Sequence, residues 1–106
     1  MRQQLSIMPN SNYIKGRRLE YKAKKELEAD GWIMLRASGS HGFFDLAGIH
    51  PDLQGTIWLQ LKATKDASAV NRLIEEFKRT LPVPESPYYI VGIWIWCEGK
   101  WTTYHL

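Results

Sequence analysis

From Tyr13 to Asp30 the apolar positions recur at helical spacing. Leu19, Ala23 and Leu27 fall at i, i+4 and i+8 and form one stripe, flanked by Ile14 and Tyr21. Gly31 follows at once and can take the left-handed conformation that ends a helix. Before the stripe, Pro9, Asn10, Ser11 and Asn12 cluster. Residues 1–12 therefore read as a flexible tail, with Ser11 or Asn12 as the helix cap. The period then changes. Trp32 to Arg36 is a short strand, and Ala37-Ser38-Gly39-Ser40-His41-Gly42 is a small-residue loop. Phe43 to Ile49 is a second strand, closed by a turn from His50 to Gly55. Thr56 to Ala63 alternates strictly: Ile57, Leu59 and Leu61 share one face, and Trp58, Gln60 and Lys62 share the other.

Asp66 or Ser68 can cap a second helix, Ala69 to Thr80, whose buried stripe is Val70, Leu73, Ile74 and Phe77. The prolines at 82, 84 and 87 stop it. Tyr88 to Trp96 is a long apolar strand. Cys97-Glu98-Gly99-Lys100 is a hairpin turn, and Trp101 to His105 closes the chain's pattern. The order αβββαββ predicts an α/β (α+β) fold with a mixed central sheet flanked by helices.

With 106 residues, residues 13–106 make one domain after the tail. The one cysteine, Cys97, excludes an internal disulfide and suits a reduced, cytoplasmic setting. No apolar run approaches the roughly 20 residues of a membrane span. The first ten residues lack the apolar core of a signal peptide, so no membrane association is expected. Charge is uneven. Residues 1–25 carry seven Lys/Arg against Glu20 alone, while the remainder carries seven against ten acids. A basic end on a near-neutral body points to a polyanion partner.

Candidate chemistry sits where apolar strands carry polar residues. Asp45 follows Phe43-Phe44, and Gln60 and Lys62 project together one strand later. Glu20 borders the helix stripe. An acid, an amide oxygen, a lysine and a second acid suit metal-assisted phosphodiester cleavage, in which a hard cation such as Mg²⁺ prefers oxygen ligands. Asp45 is the anchor ligand, with the Gln60 amide, the Leu61 backbone carbonyl and Glu20 completing the set. Lys62 orients the water or holds the phosphate. The competing reading of Glu20 is a helix ion pair with Lys24.

Several segments together carry a family resemblance. They are Lys15-Gly16-Arg17-Arg18-Leu19-Glu20, Gly31-Trp32, Leu35-Arg36-Ala37-Ser38-Gly39-Ser40, Phe44-Asp45-Leu46 and Gln60-Leu61-Lys62-Ala63-Thr64-Lys65. In order and spacing this resembles the PD-(D/E)XK nuclease superfamily, and within it the archaeal-type Holliday junction resolvases. The resemblance implies a restriction-endonuclease-like core. It implies catalytic roles for Glu20, Asp45, Gln60, Lys62 and Ser40, with Asp45, Gln60, Glu20 and Leu61 at Mg²⁺ (Mn²⁺ substituting). It implies DNA contacts by Lys15, Arg17, Arg18, Arg36 and Ser38, and a homodimer acting on four-way junctions. Gln60 departs from the family's usual Glu, which removes a charge from the metal site. The same Gln-x-Lys form is typical of Mrr-type nucleases, so an endonuclease on duplex, flap or nicked DNA is the second expectation. A DNA-binding module that kept only the fold is the third. Trp94, Trp96 and Trp101 are expected in the core on one face of the last hairpin, with exposed rings packing a dimer surface or, as the alternative, stacking on unpaired bases. His41 reads as a solvated loop residue.

Overall fold

In the computed structural model, residues 11–37 and 42–106 are described. Helix α1 runs Ser11–Ala29. Residues 1–10 of the expected tail lie outside the described residues, and the helix contains Ser11 and Asn12, ahead of the expected start at Tyr13. Both residue types cost little within a first helical turn. Its other end follows the sequence closely. Gly31 takes φ 95°. Its N–H donates to the Glu28 carbonyl at 3.0 Å, and the Trp32 N–H donates to the Leu27 carbonyl at 3.1 Å. This paired closure is the Schellman motif, and Trp32 packs against the core cluster that holds Leu27.

Five strands follow in the order β1-β2-β3-β4-β5. They are β1 (Ile33–Arg36), β2 (Leu46–Ile49), β3 (Thr56–Ala63), β4 (Tyr89–Cys97) and β5 (Lys100–His105), with helix α2 (Val70–Thr80) between β3 and β4. All neighbours are antiparallel except β3 and β4, which are parallel, as the intervening helix requires. The sheet is mixed and has a helix on each face. A short 3₁₀ turn, Ala67–Ala69, leads into α2 and is held by Asp66, whose carboxylate accepts from the Ser68 N–H and hydroxyl. At the last hairpin Glu98 and Gly99 have φ of 55° and 78°, the left-handed pair that a two-residue hairpin turn demands.

Strand alternation divides the core in two. Ala23 and Leu27 of α1 bury against Met34, Leu46, Ile57, Leu59, Leu61 and Trp94 on one face. Phe77 of α2 buries against Val91, Ile93 and Ile95 on the other, with Val70, Leu73 and Ile74 around it. Strand β4 is therefore apolar on both sides, which explains its unbroken hydrophobic run. Trp94 is buried, while Trp96 and Trp101 are half-buried and packed edge-on at 5.1 Å. Among the described residues no helix is long and apolar enough to cross a membrane.

Candidate active site

The second strand is shorter than its apolar run. Phe43, Phe44 and Asp45 were expected in it, but β2 begins at Leu46. The two phenylalanines leave the ladder because they find partners on the α2 face. Phe43 lies 5.6 Å from Phe77, and Phe44 lies 5.9 Å from Trp58, between ring centroids. Regular pairing of β2 with β3 ends at Leu46 opposite Leu59. Beyond that pair the two strands fork.

Asp45 sits in the fork. Its N–H donates to the Leu59 carbonyl at 2.7 Å, and its carbonyl accepts from the Ala37 N–H at 2.9 Å. Its carboxylate accepts from the Leu61 N–H at 2.7 Å. A side chain thus takes the place of the backbone acceptor that the ladder no longer supplies, satisfying a donor that would otherwise be stranded. The N–H and C=O of one strand residue face the same edge. The Leu61 carbonyl therefore also faces the fork.

Burial pushes the Asp45 carboxyl above its ordinary range. The Leu61 N–H opposes that shift, the negative charge of Glu20 adds to it, and the positive charge of Lys62 opposes it. Glu20 and Lys62 thus both act on Asp45, from different elements. Gln60 and Lys62 project on the α2 face of β3, the one half-buried and the other exposed. Gln60 Nε2 donates to the Phe43 carbonyl at 3.1 Å, which fixes the amide and leaves its oxygen as the group to offer a ligand.

Glu20 stands on α1, on the opposite side of the sheet. It does not pair with Lys24, which instead bonds Glu28 at 3.8 Å. Arg36 Nε donates to Glu20 Oε1 at 2.5 Å. Arg36, the last residue of β1, shares the α1 face with Met34 by alternation, so strand and helix meet there. Of the expected DNA contacts, Lys15, Arg17 and Arg18 are exposed near the start of α1. Ser38, Ser40 and His41 lie outside the described residues. His50 works at the end of α1, where its Nε2 is 3.0 Å from the Asp30 carbonyl.

Among the described residues no three of His, Cys, Asp or Glu come together. A cation at Asp45 would draw on further oxygens, those of the Gln60 amide and the Leu61 carbonyl being the nearest candidates of the expected set. Such donors would all be oxygens, the set that suits a hard divalent cation rather than a soft metal.

No family model matches the chain. No curated protein matches it in sequence. Among solved structures it is similar to Hjc, a Holliday junction resolvase from the archaeal hyperthermophile Archaeoglobus fulgidus. The TM-score is 0.50 at 13% identity, over 79% of this chain and 73% of that one. At that identity the likeness is one of fold: a mixed five-stranded sheet flanked by helices, matching the nuclease-like fold of the resolvase.

Proposed function

We propose that this chain is a divalent-metal-dependent, structure-selective DNA endonuclease, with four-way junctions as its substrate and a homodimer as its acting form. The observation that carries the reading is the fork at Asp45. A raised carboxyl bonded to an edge N–H sits there, within the electrostatic reach of Lys62 and Glu20, on a fold like that of a junction resolvase.

Asp45, Gln60, Leu61 and Glu20 would hold Mg²⁺, or Mn²⁺ in its place. Such a cation supplies Lewis-acid polarisation of the phosphate and a more acidic water. The chain's own residues do the positioning. Leu61 N–H fixes the Asp45 carboxylate, and the Phe43 carbonyl fixes the Gln60 amide. Lys62, exposed beside them, supplies positive charge to a phosphate oxygen and orients the attacking water. Lys15, Arg17, Arg18 and Arg36 serve the DNA backbone, so recognition is of shape rather than base sequence.

A second copy has an obvious seat. Ile33, Leu35 and Ile49 are 55%, 69% and 51% exposed. By alternation they share the sheet face that α2 leaves open over β1 and β2, together with Trp58. Over β1 and β2 that face carries no charged side chain among the described residues. An apolar patch of this kind suits a self-complementary two-fold contact.

A specific observation favours a second reading. Gln60 and the Glu20–Arg36 pair both lower the negative charge available to a cation, as in a DNA-binding module that kept the fold. The test is cleavage of a labelled four-way junction against linear duplex in Mg²⁺, for wild type and Asp45→Asn. Paired symmetric nicks in the junction alone, lost in the variant, are expected. Cutting of both substrates would move the reading to a duplex, flap or nick endonuclease. Tight junction binding with no cutting in Mg²⁺ or Mn²⁺ would establish the binding module.

A further inference from the structure

A groove of about 1540 Å³ runs between α1 and the C-terminal ends of β3 and β4. Six cations line it, five of them from α1 and the sixth Lys65, against Glu26, Asp30 and Glu98. Two aromatic rings line it as well. Tyr21 is 65% exposed and Trp96 half-buried. Each ring has an ammonium beside it: Lys22 Nζ lies 4.5 Å from the Trp96 centroid, and Lys25 Nζ lies 5.6 Å from that of Tyr21.

The arrangement follows from the sequence once the fold is known. Arg18, Lys22 and Lys25 fall at i, i+4 and i+7 of α1, next to the apolar stripe that packs on the sheet. Trp96 is in register with Ala63, so its indole stands beside the end of β3, with Lys65 just beyond. Leu19 and Tyr21, on either side of Glu20, both line the groove, as does Ala63 at the end of β3.

We propose that this groove takes a single-stranded DNA segment, its phosphates on the lysines and its bases on Tyr21 and Trp96. The inference rests on the nuclease reading for the polymer that arrives there. Lysines alone would serve any polyanion. Rings set among them suit a ligand with flat faces to stack, and a duplex keeps its bases stacked inside. An exposed ammonium–ring contact is weaker than a base stacked on the same ring. An arriving base therefore displaces the lysine from the ring and frees it for a phosphate. A flap carries an unpaired strand and a four-way junction offers one where pairs open at its branch point, while a continuous duplex has none.

The test is an anisotropy titration of the full chain in EDTA with labelled oligothymidylate, a hairpin duplex of equal phosphate number, and inorganic polyphosphate as competitor. The single strand should bind more tightly than the hairpin and quench tryptophan fluorescence. Tyr21→Ala should weaken that binding about tenfold, with an unchanged melting temperature because the ring is exposed. Lys25→Gln and Lys65→Gln should each reduce the slope of log affinity against log salt by about 0.7. Trp96→Phe keeps an aromatic ring against Trp101 and should remove most of the quench. Equal binding of strand and hairpin, unchanged affinity in Tyr21→Ala, or polyphosphate competing as well as oligothymidylate would each overturn the proposal. The two readings fail separately. A chain that binds the strand through Tyr21 but cuts no DNA keeps the groove and loses the nuclease. A chain that cuts junctions, with strand binding indifferent to Tyr21, does the reverse.

Discussion

Arg36 and Glu20 join the end of β1 to α1 through a single hydrogen-bonded ion pair, Nε to Oε1 at 2.5 Å. The pair is partly open to solvent: the Arg36 side chain is 41% exposed and that of Glu20 is 19%. It neutralises the acid that adds negative charge to the environment of Asp45. Arg36→Gln should free Glu20. A pair this exposed contributes under about 1 kcal/mol, so the melting temperature should move little. Affinity for Mn²⁺, read by calorimetry, should rise several-fold, while junction affinity falls with the lost cation. Unchanged Mn²⁺ affinity would remove Glu20 from the metal set.

Gln60→Glu tests the departure from the usual acid. The amide now donates to the Phe43 carbonyl. A carboxylate cannot donate, and it adds a negative charge beside Asp45. In EDTA the variant should lose about 1–3 kcal/mol in urea unfolding, the cost of a stranded, partly buried acceptor. Mn²⁺ should restore more stability to it than to wild type, because a tighter ligand set shifts unfolding further. Equal restoration in both proteins would mean that residue 60 is not a ligand.

Leu35 is the most exposed side chain of the apolar face on β1 and β2, at 69%. Leu35→Glu places a charge there without disturbing the buried core. Sedimentation should then show a monomer. Paired cutting of a junction should become single nicks at similar total rate, since Leu35 points to the α2 face of β1, away from Glu20 on α1. A dimer that survives Leu35→Glu would place the contact elsewhere.

The fold was legible because each element carries its own period. The stripe Leu19–Ala23–Leu27, the alternation from Thr56 to Ala63 and the two-sided β4 each bury as their spacing implies. The fork was not legible. Phe43 and Phe44 look like strand residues, and only the position of Phe77 on α2, over thirty residues later, draws them off the ladder. The Arg36–Glu20 pair was hidden for the same reason. Lys24 is Glu20's neighbour along the helix, but strand β1 brings a closer cation. The groove was half legible: the cations of α1 stood out as a cluster, while the apposition of Lys22 to Trp96 depends on the register of β4 against β3.

The carboxyl of Asp45 lies above its ordinary range, first through burial, then against the Leu61 N–H, with Glu20 adding to the shift and Lys62 opposing it. The folded chain therefore holds this proton more tightly than the unfolded chain does. As pH rises from the unfolded value of about 3.9 through the raised folded value, stability is lost, and above that the loss is complete. Asp45→Asn removes the charge yet keeps an oxygen to accept from Leu61. In EDTA the variant should be more stable than wild type at neutral pH, and the difference should close as the medium is acidified below the unfolded value. Mn²⁺ should stabilise wild type and leave the variant unmoved. That pattern is what a carboxylate kept for chemistry predicts, since the fold alone would be better served by the amide. If Asp45→Asn is instead less stable at neutral pH, the charged bond to Leu61 outweighs burial, and Asp45 is a structural clasp of the fork.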